Sequence, residues 1–65
     1  MENIYINDRV FFEDFKSSKV IYGELKDITM RANRSLVYVV ESNDTTYELK
    51  ANDIIASMQV YRNQR

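Results

Sequence analysis

Residues 20 to 30 read Val-Ile-Tyr-Gly-Glu-Leu-Lys-Asp-Ile-Thr-Met and form the longest extended stretch that the sequence predicts. Ile21, Gly23 and Leu25 alternate with period two, as residues do in a strand with one buried face. Ile28 then follows Leu25 at a spacing of three, which predicts a β-bulge and a sharp bend. Gly23 is the only glycine in the chain, and a glycine inside a strand indicates the close approach of a second backbone. The stretch is therefore predicted to be a bent strand of a small, curved sheet.

Strand-like segments lie on both sides of this stretch and are rich in β-branched and aromatic residues. Predicted strands occupy residues 9–15, 36–41 and 46–50, and predicted polar loops occupy residues 13–19, 31–35 and 42–45. Phe15 is the only large apolar residue of the first loop, where it either packs back onto the core or serves as a contact residue. Asn43 and Asp44 favour a turn, so the last two of these strands are predicted to form a hairpin.

The C-terminal part begins with Ala-Asn-Asp-Ile-Ile at residues 51–55, which is predicted to form one helical turn capped by Asn52. After it, the alternation of Ala56, Met58 and Val60 is typical of a short fifth strand. A stripe with helical spacing also runs through Ile54, Ile55, Met58 and Tyr61. The fifth strand is favoured, because five strands close a barrel and remove the exposed edges of the sheet.

The chain has 65 residues, no proline and no sign of an internal boundary, which predicts one domain spanning residues 1–65. A domain of this size has a marginal core. Its usual supports are disulfides or a structural metal, but the sequence contains no cysteine and no histidine. Stability is therefore expected from packing or from association with a partner.

Nine basic and ten acidic residues are interspersed along the chain and give a formal charge of −1. This balance argues against a strong general attraction to nucleic acid or to anionic membranes. The first five residues lack the features of a secretory signal, and no apolar stretch approaches the roughly 20 residues of a membrane span. A cytoplasmic location is therefore expected.

Histidine and cysteine supply most general bases, thiol nucleophiles and transition-metal ligands, so catalysis here would rest on carboxylates, lysine or tyrosine. The neighbours Glu13 and Asp14 point to opposite sides of an extended segment and fit a solvated loop edge better than a shared proton or metal. Asp8 and Asp53 lie where a short polar side chain holds a turn or caps a helical turn. The sequence therefore predicts a protein that is not an enzyme, with no catalytic residue, cofactor or metal.

Four pieces of the sequence carry a resemblance to a known fold family. They are Asn-Asp-Arg-Val at 7–10, Tyr-Gly-Glu-Leu at 22–25 with Ile28 after it, the arm at 36–41, and Tyr-Glu-Leu-Lys-Ala-Asn-Asp-Ile at 47–54. In this order they resemble the SH3-like barrel superfamily, which includes the KOW-type and Tudor-like modules. The resemblance implies an all-β, five-stranded SH3-like barrel with one short helical turn before the last strand.

The two kinds of module set different expectations for this chain. KOW-type modules commonly carry a glycine where this chain has Asn-Asp at 7–8, and they tend to be basic. Tudor-like modules bind methylated cations in an aromatic cage, and a cage of that kind would here draw on Phe15, Tyr22, Tyr38 and Tyr47.

A more distant resemblance is to the type II dihydrofolate reductase barrels, which assemble as tetramers. Residues 38–42 and 51–54 are similar to the hairpin and the closing turn of that family. Where the family has a Val-Gln-Ile-Tyr run that builds its substrate pore, this chain reads Tyr-Glu-Leu-Lys at 47–50. The carboxylate of Glu48 would repel the anionic groups of such substrates. The resemblance therefore implies a precedent for oligomers of this fold and not the activity.

The predicted third strand is apolar on both faces. Leu36, Tyr38 and Val40 lie on one face, and Val37 and Val39 lie on the other. A barrel wall normally has one solvated face, so an apolar outer face implies a cover. Two covers remain open: the chain's own tail, with Met58 and Tyr61 folded across, or a second subunit.

Together these observations predict a small protein-interaction module that associates with itself, as a homo-oligomer, or docks on a larger protein. The predicted partner-binding residues are Val37, Val39, Tyr22, Tyr47 and Phe15. A short, cysteine-free accessory protein of this kind would suit a phage or a mobile element. The alternative is a weak nucleic-acid-binding module of the KOW type, with anion contacts at Arg31, Arg34, Lys16 and Lys19.

Overall fold

Segments rich in β-branched and aromatic residues form the strands, as their propensity predicts. A computed structural model describes residues 4–60, and this part of the chain is all-β. The strands are β1 (Arg9–Glu13), β2 (Val20–Met30), β3 (Leu36–Ser42), β4 (Thr45–Leu49) and β5 (Ile54–Met58). One 3-10 turn, Ala51–Asp53, comes directly before β5. The predicted all-β class, with five strands and one short helical turn before the last, is confirmed.

The bend that the spacing predicts lies in β2. The first half of β2 pairs with β1 and the second half pairs with β3. The register with β3 slips between Leu25 and Asp27, so Lys26 is the extra residue of a β-bulge. At Gly23, a Cβ atom would lie 2.5 Å from the carbonyl oxygen of Glu41, which leaves no room for a side chain. Both predictions for this stretch are confirmed.

The strands follow the order β4-β3-β2-β1-β5, and each neighbouring pair is antiparallel. The sheet curls like a barrel, but in residues 4–60 no ladder joins β4 to β5. The prediction that five strands close the barrel is therefore wrong. The barrel stays open because of the segment that connects β4 to β5. Its 3-10 turn packs near β3, and the chain then pairs with β1 and not with β4.

The inner face of the curled sheet encloses the core. Its buried members come from four strands and are Val10, Phe12, Leu25, Tyr38, Val40 and Leu49. Phe12 of β1 packs against Tyr47 of β4, with their ring centroids 4.9 Å apart. This contact joins strands that are separated by two others in the sheet, so it requires the sheet to curl. Apolar burial in this core is the main stabilising contribution to the fold.

Polar side chains end the strands and hold the turns. The carboxylate of Asp14 accepts hydrogen bonds from the Ser17 hydroxyl at 3.0 Å and from the Lys16 amide at 3.3 Å. These bonds turn the chain after Glu13, so β1 is two residues shorter than predicted. Asn43 and Asp44 both have positive φ, 56° and 65°, as a type I′ hairpin turn requires. The predicted hairpin is confirmed.

Of the two residues predicted to cap the 3-10 turn, Asp53 forms the cap and Asn52 does not. The backbone N–H of Lys50 donates to the carboxylate of Asp53 at 3.0 Å, and the N–H of Asp53 donates to the carbonyl of Lys50 at 2.9 Å. Asn52 lies inside the turn, so the prediction that Asn52 caps it is wrong. Asp53 lies three residues after Lys50, where its oxygen reaches back to the free amide. The buried Asp8 acts similarly and accepts the Tyr5 N–H at 2.9 Å.

The C-terminal alternatives are decided as far as Met58. Ile54–Met58 is a strand, so the predicted fifth strand is confirmed. Tyr61, which belonged to the alternative helical stripe and to the proposed cover, lies outside the described residues. Between residues 4 and 60 no helix is long and apolar enough to cross a membrane.

Candidate interaction surface

Alternation along β1, β2 and β5 builds an apolar surface on the outside of the sheet. Phe11 of β1 lies opposite Tyr22 of β2 and Ala56 of β5. Its chain neighbours Val10 and Phe12 belong to the core. Successive residues of a strand point to opposite faces, and residues that lie opposite one another share a face. Phe11 and its two partners therefore face outwards.

We call this surface the outer patch. Its members are Phe11, Val20, Tyr22, Ala56 and Met58. Met58 lies opposite Arg9 on the same face and is 48% exposed. Ile55, the extra residue where β5 bulges against β1, is 58% exposed beside the patch. Three adjacent strands thus present apolar side chains next to one another.

The ring of Tyr22 is held from two directions. Its centroid lies 5.6 Å from that of Phe11 in a tilted arrangement, and the guanidinium carbon of Arg9 lies 4.6 Å from the same centroid. Both contacts are favourable, one between aromatic rings and one between a cation and a ring face. Tyr22 is nevertheless 54% exposed. A ring fixed in this way loses little conformational freedom when a partner covers it.

Charged residues border the outer patch on its β3 side. The Lys26 Nζ lies 3.3 Å from the carboxylate of Glu24 and 3.8 Å from that of Glu41. A shallow cleft of about 320 Å³ lies between the patch and this rim, and Arg9, Glu41 and Val60 are among the residues that line it. An apolar centre with a charged rim is typical of protein contact surfaces.

The predicted partner-binding residues fall in three places. Tyr22 lies in the outer patch. Tyr47 packs on the core side, and Phe15 is 71% exposed in the loop between β1 and β2. Val37 and Val39 lie on the outer face of β3. These residues do not form one surface, and a binding role for the four outside the patch stays a prediction.

Val37 is covered by the chain itself. Arg31, directly after β2, forms an ion pair with Glu48 of β4, with 2.6 Å between nitrogen and oxygen. β3 lies between β2 and β4, so this pair passes over the outer face of β3, and all three residues line the same cavity. Only 6% of Val37 is exposed. At Val37 the cover is therefore a loop-to-strand ion pair, which was neither of the two covers expected from the sequence.

The aromatic residues considered for a Tudor-like cage do not converge. Tyr38 and Tyr47 pack on the core side, whereas Tyr22 lies in the outer patch on the opposite face. Phe15 lies in the loop between β1 and β2 and belongs to neither strand. A cage needs several rings around one cation, and these four residues do not provide that arrangement.

The four predicted anion contacts lie at two separate sites. Lys16 and Lys19 belong to the loop before β2, and Arg31 and Arg34 belong to the loop after it. β2 has 11 residues, so the two pairs lie at opposite ends of the longest strand. Arg31 is also engaged by Glu48. The four side chains therefore do not form a common basic surface.

Polar groups do not mark a ligand site in the described part of the chain. Between residues 4 and 60, no three acidic side chains lie close enough together to hold a metal ion. Each buried side-chain nitrogen or oxygen of these residues has a hydrogen-bond partner. In this region, exposed apolar side chains and not polar groups are the features from which a binding role can be argued.

The sequence pattern predicts one member of the outer patch, Tyr22, as a contact residue. A signal for a second member was present, because Phe11 lies between Val10 and Phe12 and makes β1 apolar on both faces. The same criterion, apolar residues on both faces of a strand, singled out β3 in the sequence. Met58 gave no such signal, since its face depends on the bulge in β5.

Comparison with known proteins adds no relative. No protein-family model, curated protein or solved structure matches the chain significantly. The outer patch is therefore interpreted from its geometry and chemistry.

Proposed function

We propose that the protein is a small interaction module that binds another protein chain through the outer patch, and that it works by binding and not by catalysis. The observation that carries this proposal is Tyr22, whose ring is fixed by Phe11 and Arg9 while about half of its surface is open to solvent. Tyrosine, arginine and methionine are enriched in protein interfaces. Tyr22 is the central anchor of the contact, and Met58 and Val20 supply apolar area around it.

The contiguity of the outer patch supports this proposal. Single exposed apolar residues are normal on a protein surface, whereas contiguous groups of them mark interaction sites. The five members of the patch occupy neighbouring positions on three adjacent strands. The charged rim formed by Glu24, Lys26 and Glu41 gives a partner polar groups that set its orientation.

We also propose that the fold belongs to the SH3-like barrels. Three features support this assignment: the bent β2 shared by two ladders, the strand order, and the 3-10 turn before β5. The gap between β4 and β5 is where this chain departs from a closed barrel. A fold of this kind hosts unrelated functions, so the proposed binding role rests on the outer patch.

Other expectations stay predictions. Weak nucleic-acid binding has less support, because its four basic residues lie at opposite ends of β2. A cytoplasmic location and an origin in a phage or mobile element also stay predictions.

The test compares the wild-type protein with Tyr22→Asp in capturing proteins from the native lysate. Tyr5→Asp is the matched control, because Tyr5 is a similarly exposed tyrosine outside the outer patch. Circular dichroism establishes that each variant is folded. We expect wild type and Tyr5→Asp to capture the same protein. We expect Tyr22→Asp to weaken its affinity at least about 30-fold, as the loss of an interface hot spot does.

Equal capture by Tyr22→Asp and wild type would contradict the proposed site. A wild-type protein that neither captures another protein nor associates with itself would contradict the proposed function. Loss of capture in Phe15→Asp but not in Tyr22→Asp would move the contact to the loop between β1 and β2.

A further inference from the structure

β5 is an open edge of the sheet, and its part after the bulge at Ile55 carries neither a charge nor a proline. It pairs with β1, and no strand lies on its other side in the part of the chain that the structure describes. Its sequence, Ile-Ile-Ala-Ser-Met, contains no charged residue, proline or glycine. Edge strands are usually guarded by charges or proline, because their free N–H and C=O groups pair readily with another strand. The other edge, β4, carries the charged Glu48.

We propose that β5 pairs in antiparallel orientation with β5 of a second copy of this chain, so that two sheets join across a two-fold axis. This inference rests on the proposed function and names an identical chain as a partner. A two-fold contact is self-complementary, so one exposed edge is sufficient to form it. Backbone hydrogen bonds hold the two strands together, as they do when a peptide strand adds to a sheet edge.

The faces of β5, together with its end at Met58, favour one register. Ala56 and Met58 belong to the outer patch, whereas Ser57 lies opposite the buried Val10 on the core side. Opposite residues of an antiparallel pair share a face. A two-fold axis at Ser57 meets this condition and sets Ala56 against Met58 of the second copy. An axis at Ala56 would instead set Ser57 against the bulge residue Ile55.

Charges do not oppose this register. β5 has none, and the nearest charged residue on the outer face of β1 is Arg9, opposite Met58. In the paired sheet the two copies of β1 are three strand spacings apart, about 14 Å. That separation exceeds the Debye length of about 8 Å at physiological ionic strength. Repulsion between the two Arg9 side chains is therefore weak.

The register also joins the two outer patches. Ala56 lies between Phe11 of its own chain and Met58 of the second copy, so apolar side chains continue in one row across the two-fold axis. Ser57 meets its own copy on the other face, where hydroxyl groups hydrogen bond across strands. The dimer thus presents one larger apolar surface to a further partner.

A single cysteine tests the register, because the natural chain has none. Ser57→Cys sets two thiols opposite each other with Cβ atoms about 5 Å apart, close enough for a disulfide after a small adjustment. Thr46→Cys, at an exposed position of the other edge, is the control. On mild oxidation of dilute protein we expect a covalent dimer from Ser57→Cys and a monomer from Thr46→Cys.

Paired charges give a second readout that needs no disulfide. Ala56→Lys combined with Met58→Glu sets opposite charges against each other across the axis. Ala56→Lys combined with Met58→Lys sets like charges there. We expect the first double variant to dimerise as the wild type does, and the second to raise the dissociation constant at least about tenfold. Analytical ultracentrifugation measures both, with circular dichroism to establish folding.

Three outcomes would overturn the inference: a wild-type chain that sediments as a monomer at every concentration, equal dimerisation of the two double variants, or crosslinking at Thr46→Cys instead of Ser57→Cys. A monomer that still captures a protein through Tyr22 would leave the proposed function intact. The failure of the pairing and the failure of the function are therefore distinguishable.

Discussion

The ring of Phe12 in β1 lies 4.9 Å from the ring of Tyr47 in β4, although two strands separate β1 from β4 in the sheet. In a flat sheet, strands three spacings apart are about 14 Å apart. The short distance therefore measures how far the sheet curls. The curl follows from the bulge at Lys26, which bends β2 between its two partners.

Replacement of Phe12 is expected to unfold the protein, whereas replacement of its neighbour is not. Phe12→Ala removes a fully buried ring and costs about 3–5 kcal/mol, which is much of the stability of a domain this small. Phe11→Ala, on the outer face, should leave a folded protein. Thermal unfolding followed by circular dichroism compares the two. A cooperative transition of Phe12→Ala close to that of the wild type would contradict the assigned core.

Gly23→Ala is expected to destabilise the sheet by about 1–3 kcal/mol. The new methyl group would meet the Glu41 carbonyl oxygen at 2.5 Å and a Val40 methyl at 2.7 Å, so β2 and β3 must move apart. Urea unfolding should show a lower midpoint at an unchanged slope. Glu24→Ala is the neighbouring control and should shift the midpoint less. Equal midpoints for Gly23→Ala and wild type would show that the backbones do not approach as described.

The ion pair between Arg31 and Glu48 is expected to contribute about 0.2–1 kcal/mol, because both side chains are more than half exposed. A double-mutant cycle measures this coupling, which should decrease in high salt. Arg31→Ala should also uncover Val37 and increase the binding of a hydrophobic dye. Arg34→Ala, in the same loop, should not. Equal dye binding by the two variants would contradict the cover assigned to Val37.

Affinity for single-stranded oligonucleotides separates the binding module from its alternative. Four joint phosphate contacts would give a slope of log affinity against log salt of about −2.8. The two basic pairs lie at opposite ends of β2, so we expect little binding and a shallow slope. A steep slope that becomes shallower both in Lys16→Ala/Lys19→Ala and in Arg31→Ala/Arg34→Ala would favour the nucleic-acid alternative.

Several features of the fold were predictable because their causes are local. The shift in spacing from Leu25 to Ile28 indicated the bulge, and Gly23 indicated the close approach of β3. Asn43 and Asp44 indicated a hairpin because their side chains tolerate positive φ. Both Asn52 and Asp53 were predicted to cap the 3-10 turn, and Asp53 is the residue that accepts the Lys50 N–H, since cap geometry depends on where the turn begins.

The candidate site was predictable only in part. Tyr22 was among the predicted contacts, but the residues around it come from β1 and β5, and the pattern of one strand does not indicate which strands lie beside it. Val37 is the opposite case, because it was among the predicted contact residues and the structure buries it. Its strand is apolar on both faces, but the side chains that cover it come from residues 17 apart in the chain, Arg31 and Glu48.

The amino-acid sequence by itself determined the first four strands, the bend in β2 and the hairpin turn, because each depends on residue spacing or on backbone preferences within a few residues. The strand nature of β5 was decided by the tertiary structure, because its residues also fit a helical stripe. Only the tertiary structure decided that the sheet stays open, that Val37 is covered, and that Phe11, Tyr22 and Met58 share one surface. Those outcomes depend on which distant segments meet. That is set by the curl of the whole sheet and by the path of the chain across its open end.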